Sequence, residues 1–186
     1  MYLWGNEIGE RDVRGYPALD NVRNALERDR TIQTEPDVVL HVPGKLLVLI
    51  KAKLGSPNST LDKKPYETVQ DFLDVYESPD GQDPLDRAWI ARQSTSEILG
   101  QLCRLIVFGT RMAEHGANVV LVNLLRQQDM HDSFPNFAPH LSASGPVKFG
   151  VGAWEHMIPL ADHAGNDTLH QYLTDKSYCL RPPFDL

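Results

Sequence analysis

Between residues 37 and 54 the apolar positions follow the period of a strand. Val38, Leu40 and Val42 alternate with Asp37, Val39 and His41, the two-residue repeat of a pleated chain. After Pro43 and Gly44, residues 45–54 run almost unbroken through Leu46, Leu47, Val48, Leu49 and Ile50. Such a run is expected of a strand buried on both faces and covered by helices. So short a connection allows only an antiparallel pair. Loop length then sets the register. A two-residue Pro43-Gly44 loop places Asp37 opposite Ile50 and puts Asp37 and Lys53 on different faces. A three-residue loop, Pro43-Gly44-Lys45, places Asp37 opposite Lys51, so that Asp37, Lys51 and Lys53 share one face.

Helical spacing frames this hairpin. Leu19, Val22, Ala25 and Leu26 recur at helical intervals behind Pro17, with Glu27 near the helix end. Residues 55–60 (GSPNST) read as a loop. Pro65 suits the first turn of a helix with Tyr66, Val69, Phe72, Leu73 and Tyr76 as its apolar stripe. Residues 78–86, with Pro79, Gly81 and Pro84, form a turn-rich linker. Ser94 and Glu97 make a capping box for a helix that runs to a stop at Gly116. It carries Ile98, Leu102, Ile106 and Ala113 on one face and Glu97, Gln101, Arg104 and Arg111 on another. Residues 117–125 (ANVVLVNLL) read as a second buried strand, and helix followed by strand implies a crossover unit. Residues 129–146 look like a long loop with one turn of helix, 147–151 a short strand, and 167–175 a helix. Residues 153–160 fit either class, and residues 1–15 show no period.

A chain of 186 residues, 41% hydrophobic and 23% charged, fits a single folded domain over residues 1–186 with a sizeable core. Its longest apolar run is too short to span a bilayer. The first ten residues carry acids and lack an apolar signal segment, and Cys103 and Cys179 lack metal spacing. The expectation is a cytoplasmic protein with free thiols and no membrane partner. Net charge is −7, the wrong sign for nucleic-acid affinity through bulk positive charge, so any such affinity is local.

The Pro36-Asp37 pair on one strand and Lys51-Ala52-Lys53 at the end of the next resemble the PD-(D/E)XK nuclease family, whose signature is Pro-Asp followed by acid-x-Lys. Pro36, Asp37 and Lys53 match; Lys51 stands where the family has its second acid. The resemblance covers about residues 19–125. It implies an α/β, restriction-endonuclease-like fold, a mixed central sheet flanked by helices, and Mg²⁺- or Mn²⁺-dependent cleavage of DNA. Carried over, Asp37 is a metal ligand, Ala52 supplies a metal-facing carbonyl and Lys53 is the catalytic lysine. Glu27, Glu35 or Glu97 could lend the missing carboxylate, Glu27 being the one assigned to the metal. Gln101 joins the catalytic set, and Arg104 and Asn58 are assigned to the nucleic acid. A homodimer, able to cut both strands, also follows from the resemblance.

The charge reversal at residue 51 has a size. A unit-charge pair at ~4 Å is worth on the order of 4 kcal/mol at an effective dielectric of about 20. A lysine in the acid's place is therefore expected to pair with Asp37, occupy the metal's position and leave Mg²⁺ binding weak and cleavage impaired. A glutamate codon becomes a lysine codon by one base change, which is one origin for Lys51; a nuclease fold that has given up catalysis is the other. The alternative function is a non-catalytic DNA-binding or protein-interaction module on the same fold. Gln101 and Arg104 have an equally simple reading as the solvated face of an amphipathic helix. The seven histidines, His41 being the one in phase with Asp37, show no ligand spacing. No serine or cysteine sits in a nucleophile elbow, and there is no glycine-rich phosphate loop.

Overall fold

The computed structural model describes residues 2–3, 6–7, 16–27, 34–53, 68–76, 83–93, 99–113, 117–130, 137–141 and 147–178. Its centre is a mixed sheet built on four strands: β3 (Val38–Val42), β4 (Leu46–Ala52), β5 (Asn118–Leu125) and β6 (Val147–Ala153). Two short strands, β1 (Tyr2–Leu3) and β2 (Asn6–Glu7), extend it beyond β3, giving the order β2-β1-β3-β4-β5-β6. Strands of two residues are too short to show the alternation of a strand in the sequence. β3 and β4 are antiparallel, while β4, β5 and β6 run parallel.

The hairpin takes the odd-length loop. Val42 pairs with Leu46, and the Lys45 N–H donates to the Val42 carbonyl at 3.0 Å. Pro43 and Gly44 are the central residues of this turn, and Gly44 has φ 67°. Proline then glycine at positive φ is the chemistry of a type II turn. The ladder begins at Val38, opposite Ile50; Asp37 lies one residue before it, and its N–H donates to the Ile50 carbonyl at 2.8 Å.

Helices α1 (Pro17–Leu26), α2 (Val69–Val75), α3 (Arg87–Ala91) and α4 (Gly100–Met112) supply the rest of the core. α1 opens on Pro17 and buries Leu19, Val22 and Arg23 at helical spacing. α2 is opened by a reciprocal capping box, Thr68 with Asp71, which the apolar stripe alone did not reveal. Asp86 caps α3 through the Trp89 N–H. Ser94, Glu97 and Gly116 lie outside the described residues, but α4 opens at Gly100 with Leu99 at its N-cap, so the helix start expected at Ser94 needs correction. Pro65, Tyr66 and the loop carrying Asn58 also lie outside the described residues. At the chain's end α5 (Ile158–His163) and α6 (Asp167–Ser177) pair with each other, joined to β6 by a 3₁₀ turn, Trp154–Met157.

The core lies on one face of the sheet. Val39, Leu47, Leu49, Val119, Leu121, Leu125 and Val147 pack there against Leu19, Phe72, Ile90, Leu105, Ile106 and Phe108 of the helices. On the other face Val38, Leu46, Val48, Ile50, Val120 and Val122 are half-buried, Leu40 and Val42 are exposed, and none of them belongs to the core cluster. The expectation that β4 is buried on both faces therefore needs correction. An apolar run records what a strand tolerates, whereas burial depends on which helices return to each face.

α4 approaches the sheet closely at Gly109, where a Cβ would stand 2.9 Å from Val119 Cγ1 and 3.4 Å from Leu49 Cδ1. Alanine there gains about 1 kcal/mol of helix propensity but overpacks a well-filled contact, at ~1–3 kcal/mol. Gly109→Ala is therefore expected to lower stability by roughly 1 kcal/mol on balance. Urea unfolding checks this, and an unchanged or raised midpoint would contradict it.

Candidate functional site

Because strand partners side by side point their side chains the same way, the register lays the site out in rows. Lys51, Asn123 and Val151 form one row, which the Asp37 side chain joins through its contact with Lys51; Lys53 lies two residues beyond Lys51 on the same face. The row runs across the carboxyl ends of the parallel strands, on the face that α4 covers. Open α/β sheets place ligands at that end.

The Lys51 Nζ lies 3.4 Å from Asp37 Oδ1 and 3.3 Å from Oδ2, and it donates to the Glu35 carbonyl at 2.9 Å. The Ala52 N–H donates to Asp37 Oδ2 at 2.7 Å. Asp37 thus meets a fixed cation and a backbone donor, and the contact with Lys51 is the one expected from the sequence. Ala52, assigned to a metal through its carbonyl, reaches Asp37 through its N–H. Burial and the like charge of Lys51 lower the Lys53 ammonium from its ordinary value, and the attraction of Asp37 opposes them.

Glu27 sits at the end of α1 and is 1% exposed. Its carboxylate accepts the Thr34 N–H and hydroxyl, both at 2.6 Å, and the Tyr76 hydroxyl. One turn earlier, Arg23 donates to the Thr34 carbonyl at 3.2 Å and pairs with the Glu35 carboxylate at 2.8 Å. These bonds tie the end of α1 to the strand lead-in at Thr34 and Glu35, the latter supplying the carbonyl that holds Lys51. Among the described residues, no group of three or more His, Cys, Asp or Glu side chains gathers to hold a metal. Glu97 and Asn58 lie outside the described residues.

Gln101 is half-buried in the first turn of α4, while Arg104 is only 5% exposed. The Arg104 guanidinium lies 5.8 Å from the Phe72 ring centre and 5.6 Å from that of Tyr76, within the range of a cation–π contact. The solvated-face reading of this helix is thereby corrected for Arg104. Its cause is α2, whose rings cover the side of α4 that spacing alone had left to water. Asn123 was missed altogether. It is fully buried beside Lys51, and its signal was a polar residue inside the apolar run of residues 117–125. His41 lies further along β3 with its ring 5.4 Å from that of Tyr16, and His140 stacks on Trp89 at 4.1 Å.

Cys103 is free and fully buried, and burial pushes its thiol up to about 12, against the opposing charge of Arg104. A thiol held neutral in this way is a poor nucleophile. In peptide-resolved mass spectrometry, iodoacetamide is expected to leave Cys103 unmodified in the native protein and to label it after denaturation. Native labelling at the rate of an exposed thiol would refute this placement. Among the described residues, no helix is long and apolar enough to cross a membrane.

No protein-family model, curated protein or solved structure matches the chain.

Proposed function

We propose that the chain is a restriction-endonuclease-like domain of the PD-(D/E)XK nuclease type, a DNA phosphodiesterase whose metal site is shut by Lys51. The observation that carries this reading is the row itself. A three-residue turn sets Asp37 against Lys51, with Lys53 on the same face, at the carboxyl ends of parallel strands joined through a helical crossover. DNA as partner, a homodimer and a cytoplasmic setting belong to the same reading. Fold alone does not give function.

The donor set does not fit Mg²⁺. That ion takes oxygen ligands, with one or two carboxylates among them, and the carboxylate that faces it here already pairs with a lysine. Chemistry at this site is therefore proposed for the acid-restored chain, in which Asp37 and residue 51 would offer the carboxylates. Lys53 would then stand beside the scissile phosphate, and Gln101 and Arg104 on α4 are the assigned supports.

The same Asp37–Lys51 pair favours a second reading for the chain as it stands, a DNA-binding module on a nuclease fold without catalysis. Lys51→Glu, assayed on supercoiled plasmid with Mg²⁺ or Mn²⁺, separates the two. Cutting by the variant supports the nuclease. A folded variant that does not cut sinks it and leaves the binding module.

A further inference from the structure

Three carboxylates of the described residues around the site are already engaged. Asp37 is held by Lys51 and the Ala52 N–H, Glu35 by Arg23, and Glu27 by Thr34 and Tyr76. Lys51 in turn points its ammonium at the Glu35 carbonyl and both Asp37 oxygens. Lys53 differs. It is half-buried, and among the described residues its Nζ has no hydrogen bond or ion pair. One carboxylate against two ammonium groups leaves the row with a net charge of +1, where an acid at residue 51 would leave −1.

We propose that the carboxyl end of the sheet is an oxyanion site, taking one phosphate group without a metal, with Lys53 as its direct donor and Lys51 as the fixed charge behind it. Charge-assisted hydrogen bonds to such an anion are the strong kind. Strand carboxyl ends are also where open α/β sheets receive ligands. The shared chemistry is a phosphate group, free or in a nucleic-acid backbone. Oxyanion binding uses the same residues as the nuclease reading but none of its metal chemistry.

The test titrates the full chain with inorganic phosphate, and separately with a short oligonucleotide lacking terminal phosphates, following amide chemical shifts. Saturable binding of inorganic phosphate at β4 is expected. Lys53→Met should weaken it about tenfold or more, Lys53→Arg should keep it, and Lys51→Glu should abolish it. Circular dichroism checks each variant's fold; should Lys53→Met not fold, the comparison passes to Lys53→Gln and Lys51→Glu. Competition between oligonucleotide and phosphate assigns the site to nucleic acid, and phosphate binding alone assigns it to free phosphate; either supports the proposal. No saturable binding of either, or binding indifferent to these substitutions, overturns it. If the native chain binds phosphate but Lys51→Glu does not cut DNA, the nuclease reading falls and the oxyanion site stands. The opposite pair of results does the reverse.

Discussion

On the proposed nuclease reading, Lys51→Glu is expected to nick supercoiled plasmid in Mg²⁺ on the order of a hundredfold or more faster than the native chain, a span typical of one well-placed electrostatic group. The native Lys51 ammonium lies 3.3 Å from Asp37 Oδ2 and neutralises it. The substitution removes that cation and adds a carboxylate in the same row, so the local charge moves by two units toward what a divalent ion requires. The Ala52 N–H keeps Asp37 oriented in both chains. Cleavage gained this way should disappear again in Lys51→Glu/Asp37→Ala and in Lys51→Glu/Lys53→Ala, whereas Lys51→Met should stay silent because it removes the plug without supplying a ligand. Cutting by Lys51→Met as fast as by Lys51→Glu would show that the acid is not what was missing.

Loss of the Glu27 carboxylate is expected to be the most damaging polar substitution among the described residues. Glu27→Ala leaves the Thr34 N–H, the Thr34 hydroxyl and the Tyr76 hydroxyl without their acceptor in a buried setting. At ~1–3 kcal/mol for each stranded buried group, partly recovered by water and relaxation, the loss should be about 3 kcal/mol or more. Tyr76→Phe removes one donor and should cost about 1 kcal/mol. Because the two residues share a bond, the double variant should lose less than the sum of the singles. Urea unfolding of the three variants measures this directly. If Glu27→Ala were within about half a kcal/mol of the native chain, the carboxylate would be free for another task, such as the metal ligation assigned to it by resemblance.

The hairpin was readable because its determinants are local. Pro43-Gly44 specifies the turn, the turn fixes the register from Val42 to Val38, and Asp37, one residue further, comes within reach of the Lys51 side chain; no distant residue is needed. The crossover from α4 to β5 was readable for a similar reason, a helical stripe handing over directly to an apolar run. Arg104 and the outer face of β4 were not, because their surroundings come from elsewhere. Arg104 is buried by Phe72 and Tyr76, about thirty positions earlier in the chain, and periodicity says which residues share a face without saying what covers it. The Glu27 network was hidden in the same way, since its partners Thr34 and Tyr76 belong to two other segments. Asn123 stood in plain view as an amide inside a hydrophobic run, and the cost of burying such a group unsatisfied is the signal that marks it.

Trp154 ties the far edge of the sheet to its working strand. Its indole N–H donates to the Lys53 carbonyl at 2.9 Å, reaching over from the end of β6, and in the same turn the Glu155 carboxylate accepts the Gln127 N–H that follows β5. The backbone of Lys53 is therefore anchored on both sides, to Leu124 through its N–H and to Trp154 through its oxygen. Because α5 and α6 hang from this turn, the C-terminal helical pair acts as a handle on the strand end. A force or partner that tilts the pair therefore pulls on the backbone of Lys53, the residue that directly follows β4.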